Sequence, residues 1–130
     1  MLASSFPNGA DHPAKAVVED TLTRYGYRRP DWYTAFKTRI AEPSGDPGTF
    51  ARTASDAGLM DVSVQHLDIE VGLDDPRTAV QWRLNMPHTL DFVTALAPRA
   101  RAELHESAIA ASPPGMPSTV AMLVLRARVP

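Results

Sequence analysis

Four histidines, two tryptophans and three tyrosines are the side chains of this sequence best suited to chemistry, and their spacing limits what that chemistry can be. His12, His66, His88 and His105 include no pair at metal-ligand spacing, and none stands beside a serine in a nucleophile pattern, so no metal site is expected. His88 follows Met86-Pro87 in a segment that also carries Trp82, which makes it the one candidate for a base and a substrate contact. His66 lies in the polar pair Gln65-His66, while His12 and His105 read as solvated. Trp32, Tyr33, Phe36 and Trp82 could wall a substrate pocket and stabilise a cation over their faces, or could equally pack helices onto a sheet.

Three further patterns have simpler readings. Asp74-Asp75-Pro76 resembles a paired carboxylate, but adjacent acids before a proline serve as a helix cap and dipole partner. Arg24, Arg28 and Arg29 alternate with Tyr25, Tyr27, Trp32 and Tyr33 as on a single-strand nucleic-acid platform. Gly26 and Pro30 split that run and the chain is net acidic, so a solvated helix end is the better reading and no nucleic-acid partner is expected. Arg99 and Arg101 beside Glu103 and Glu106 read as an exposed helix face with ion pairs.

The elements that must position these groups follow from composition and periodicity. A chain of 130 residues, 44% hydrophobic and 22% charged with a net charge of −2, suits one soluble domain with one core. No cysteine is present and no apolar run approaches a membrane span or signal core, so a cytoplasmic protein with no membrane partner is expected. Leu2 to Phe6 reads as a buried strand stopped by Pro7-Asn8-Gly9. Asp11 or His12 can cap a helix running to Gly26, and Asp31 a short one presenting Trp32, Tyr33, Phe36 and Ile40.

Glu42 to Gly48 has the composition of a mobile loop, after which Asp46 or Thr49 starts a helix closed by Ala57-Gly58-Leu59. The apolar residues Val62, Val64, Leu67, Ile69 and Val71 alternate on either side of Gln65 and His66, predicting a half-buried strand with a small irregularity. Asp74 or Asp75 with Pro76 opens another helix, and Ala97-Pro98 splits the helical spacing of Thr89 to Ala111 in two. Ser118 to Val129 closes the chain as a strand buried in its middle and solvated at its end. Together these predict an α/β fold with helical insertions at about residues 11–45 and 73–111.

The order of a first strand, an aromatic helical insertion, a helix, Ala57-Gly58-Leu59 leading into a strand, a second insertion and a final apolar strand resembles the C-terminal half of a class I S-adenosylmethionine-dependent methyltransferase. The resemblance implies a partial Rossmann-like sheet. Leu2 to Phe6 would correspond to its fifth strand, Asp61 to Val71 to its sixth and Thr119 to Arg128 to its seventh, the last antiparallel to the sixth. It also implies S-adenosylmethionine as cofactor, a small-molecule acceptor, and Trp32, Tyr33, Phe36, Trp82 and His88 as acceptor contacts.

The chain departs from the family where the cofactor binds. Its seven glycines form no G-x-G cluster after a strand, so no cofactor-binding residue can be assigned. The resemblance therefore implies a truncated chain, inactive alone, whose first strand pairs with another copy or with a chain supplying the N-terminal half. The alternative is a non-catalytic α+β module that binds a small ligand or a partner.

Overall fold

The computed structural model describes all 130 residues, Met1 to Pro130. The chain is α/β, with one three-stranded antiparallel sheet and helices between the strands. It divides into two compact units. The first comprises Met1–Ala10, Thr34–Glu70 and Val120–Pro130, and the second Asp11–Tyr33 and Val71–Thr119.

The first unit holds the sheet. Its strands β1 (Leu2–Ser5), β2 (Met60–Glu70) and β3 (Thr119–Arg128) lie in the order β1-β3-β2. β1 pairs antiparallel with β3 through Leu2↔Arg126, Ala3↔Leu125, Ser4↔Val124 and Ser5↔Leu123. β2 flanks β3 on its other side, also antiparallel, the direction that the resemblance implied, so β1 and β2 run in the same direction. Directly opposed residues share a face. Ala3, Leu125 and Ala127 thus look one way, where with Val62 and Val64 they pack against Phe50, Ala54 and Leu59.

Phe50 and Ala54 belong to α4 (Pro47–Asp56), and four-residue spacing puts both on one side of that helix. Asp46 caps it by accepting from the Thr49 N–H at 2.7 Å, and Pro47 supplies a first residue that needs no donor. Its end is a Schellman turn: Gly58 has φ 86°, its N–H donates to Ser55 O, and the Leu59 N–H donates to Ala54 O at 3.1 Å. Leu59 thereby folds back onto Ala54, and the chain enters β2.

Three expectations for this unit are corrected. β1 is not a buried strand: it is an edge with only one face packed, and Leu2 is 75% exposed. β2 is covered only at Val62 and Val64, leaving Leu67 and Ile69 exposed, and its backbone departure lies at Asp61, with φ 53°, rather than at Gln65-His66.

The third concerns Glu42 to Gly48, which is not a loop throughout. After α2 (Asp31–Phe36) the chain runs through a π-helical turn, Lys37–Ala41, into the short α3 (Glu42–Ser44). Pro43 has no N–H to continue the ladder, which fits a widened turn just before it. Asn8 then fastens the segment, its side chain donating to Glu42 O at 2.8 Å and its backbone N–H to Gly45 O at 3.0 Å.

The second unit is helical. It contains α1 (Ala14–Arg24), α5 (Pro76–Leu84), α6 (Pro87–Ala95) and α7 (Pro98–Ala111), which bury Val18, Leu22, Val80, Leu84, Val93, Leu104 and Ala108 in one cluster. Each of the last three helices begins with proline in its first turn, and α5 is capped by Asp75, which accepts from the Thr78 N–H at 2.8 Å. The Arg99–Glu103 ion pair forms at 2.9 Å, whereas Arg101 turns back to donate to the Thr94 and Leu96 carbonyls at the end of α6.

His12 is not solvated, contrary to expectation, but 8% exposed. Its Nδ1 accepts from the Ala14 N–H, and Nε2 lies 2.9 Å from Pro117 O, where only a donating Nε2–H can serve. From the position before the Pro13 N-cap, the ring satisfies one of the free N–H groups at the start of α1. No helix of the chain is long and apolar enough to cross a membrane.

Candidate functional site

The second unit has a cleft of about 290 Å3 lined by Glu19, Asp20, Thr23, Tyr27, Arg29 and His88. Helix α1 supplies the first three. Val18 and Leu22 face the core, so Glu19 and Asp20 between them and Thr23 after them are turned away from it.

Tyr27 is placed by the end of the same helix. Gly26 takes φ 89°, its N–H donates to Thr23 O, and the Tyr27 N–H donates to Leu22 O at 3.0 Å, a second Schellman turn. The turn lays the Tyr27 ring against the cluster around Leu22 and edge-on to Phe92, at 5.4 Å between centroids. The phenol then reaches across to donate to His88 O at 2.8 Å. Burial of the ring raises the Tyr27 pKa, Tyr33 and Glu19 add to the rise, and the nearby Arg29 and Arg83 oppose it.

Of the residues singled out by sequence, His88 and Tyr33 are brought together. His88 is the second residue of α6 and 7% exposed, and its ring stacks on Tyr33 at 3.7 Å with the planes 4° apart. Trp32 meets Tyr33 edge-on at 5.7 Å and is itself 54% exposed. Trp82 is engaged elsewhere, edge-on to His12 at 6.2 Å and under the Arg83 guanidinium at 5.4 Å. Phe36 belongs to the first unit and is 42% exposed. His66 lies in the exposed half of β2.

Three charged residues that the sequence did not mark as a group give the cleft its electrostatics. Glu19 stands between two guanidiniums, with Arg83 Nη2 3.6 Å from Oε1 and Arg29 Nη2 3.6 Å from Oε2. Arg83 is buried, whereas the Arg29 side chain is half exposed and its guanidinium lies 5.8 Å from the Tyr33 ring centre. The only local clue to this cleft is Gly26, which, by ending α1, fixes where Tyr27 must go.

A second and more open groove of about 490 Å3 is lined by Val17, Asp20, Arg24 and Ala111, and offers less convergent chemistry. No group of three or more histidines or carboxylates is arranged to hold a metal ion. The cleft can therefore bind by charge and by aromatic contact. Comparison with protein-family models, with curated proteins and with solved structures finds no match to this chain.

Proposed function

We propose that the chain is of the S-adenosylmethionine-dependent methyltransferase type, carrying the acceptor-side half of a Rossmann-like fold that acts on a small molecule. The observation that carries this reading is the strand order β1-β3-β2, in which the last strand of the chain inserts antiparallel between two strands that run the same way. A helix entering β2 through Ala57-Gly58-Leu59 supports it further. On this reading the Tyr33–His88 stack and the adjoining cleft belong to the acceptor side, with Trp32 and Trp82 as its outlying aromatics.

The residues present do not fit the cofactor itself. The glycines at positive φ, Gly9, Gly26, Gly58, Gly72 and Gly115, are single turn positions facing open space, and Gly45 is packed against Asn8. None forms a cradle of successive glycines at a strand end. Activity is therefore not expected of these 130 residues alone, and the open edge of β1 is where a strand of the cofactor-binding part would pair.

Reading the coding sequence directly upstream of Met1 tests this. An in-frame strand, glycine-clustered loop and helix is expected, and co-expression of that segment should produce a complex that binds S-adenosylmethionine; an unrelated or out-of-frame sequence would contradict the reading. A second reading, a small-ligand-binding module without catalysis, is favoured by one observation: every residue lining the cleft comes from the second unit.

A further inference from the structure

The charges around the cleft do not cancel pair by pair in the obvious way. Arg83 and Glu19 form the better buried pair and neutralise each other, which leaves Asp20 and Arg29 as the charges the cleft presents to solvent. The Asp20 side chain makes no ion pair or hydrogen bond within the chain. Arg29 lies 3.6 Å from Glu19, which is ion-pair contact but beyond a good hydrogen bond, so the donors of its fork stay available to a carboxylate.

We propose that this cleft binds a small zwitterion bearing an ammonium and a carboxylate group, the carboxylate on Arg29 and the ammonium on Asp20. A simple anion would meet Arg29 but also Asp20, and a simple cation the reverse, so each gains one attraction and suffers one repulsion. A zwitterion gains both. Two neutral acceptors reinforce the ammonium end. Thr23 donates its hydroxyl proton to Glu19 O, and Tyr27 donates its own to His88 O, so each hydroxyl faces the cleft with oxygen lone pairs to spare. At about 290 Å3 the cleft suits a ligand of only a few heavy atoms.

As a statement of binding this stands without methyl transfer; as a statement of the acceptor's class it rests on the methyltransferase reading. The test omits S-adenosylmethionine, so its failure is separate from failure of that reading. The full chain, labelled with 15N, is titrated with β-alanine, with propionate and ethylammonium chloride as single-charge controls at matched ionic strength. Saturable shifts of the Asp20, Thr23, Arg29 and His88 amides are expected with β-alanine at a millimolar Kd, and binding weaker by about tenfold or more for either control.

Asp20→Asn and Arg29→Gln should each reduce β-alanine binding to the level of the controls. Arg28→Gln, at an exposed neighbour outside the lining, should leave it unchanged and guard against a loss due only to surface charge. Equal binding of propionate, absence of a saturable shift, or undiminished binding in Asp20→Asn or Arg29→Gln would overturn the proposal.

Discussion

The same backbone device ends two helices of this chain, and it does different work in each unit. At Gly58 in the first unit and Gly26 in the second, a glycine at φ 86° and 89° lets the following N–H return to a carbonyl of the last helical turn. After Gly58 comes Leu59, an apolar side chain that closes over Ala54 and delivers the chain into β2. After Gly26 comes Tyr27, whose ring closes over the core just as Leu59 does but whose hydroxyl continues to His88. One polar atom on the residue after the glycine turns a structural stop into the wall of a cleft.

Replacing either glycine by alanine gives the largest expected effect in that comparison. Neither position has an atom near enough to clash with a new Cβ, so the cost is conformational and similar in both, about 1–2 kcal/mol by denaturant unfolding. Only Gly26→Ala should also weaken binding in the cleft. A matched loss of binding in Gly58→Ala would break the distinction.

Tyr27→Phe sharpens it, because it makes Tyr27 as apolar as Leu59 while keeping the ring. Loss of the bond to His88 O should cost about 1 kcal/mol, with no change in the denaturant slope. A variant as stable as the parent would show that the hydroxyl is equally well served by water.

The pH responses are smaller. Tyr27 has a raised pKa, so its contribution is complete below pH 10 and is lost as pH rises from there through the folded-state value; Tyr27→Phe should remove that alkaline loss. His105 on α7 is shifted the other way, chiefly by burial, so its contribution is present above pH 6.5 and is lost as pH falls from there through the lowered value. Asp46 and Asp75, held low mainly by their hydrogen bonds to Thr49 and Thr78, lose their contribution only as pH falls below 3.8. Following unfolding midpoints across pH should separate these three windows.

What could be read in the sequence is what local chemistry dictates. The caps Asp46 and Asp75, each one of two residues named for its position, Pro76 in the first turn of α5, the glycine stops at Gly26 and Gly58 and the break at Ala97-Pro98 each act within a few residues, and each is where the sequence placed it. The final strand's antiparallel pairing with β2 was implied by the methyltransferase resemblance rather than by any local pattern. What was not legible depends on partners far along the chain. His12 is buried because Pro117 takes its Nε2–H across 105 positions, and the helical course of Glu42 to Ser44 is fastened by Asn8 from 34 positions away.

The cleft was hidden for the same reason. Alternating apolar residues in β2 pointed to burial, but alternation states only which side faces which, and Leu67 and Ile69 turn to a face that stays open. Tyr33 and His88 were both marked as substrate contacts, yet nothing local announces their stacking. Glu19 and Arg83 belong to separate helices, and only the packing of α1 with α5 brings them together.

The chain pairs a charged cleft in its second unit with the lack of any cradle of successive glycines, and one paired titration tests this combination most directly. Amide shifts of the full chain would be followed against β-alanine and, separately, against S-adenosylmethionine up to about 1 mM, the range of weak small-ligand binding. Saturable shifts at Asp20, Thr23, Arg29 and His88 are predicted with β-alanine, and none with S-adenosylmethionine. Saturable S-adenosylmethionine shifts in the turns that follow β1 and β2, with β-alanine silent, would contradict the account.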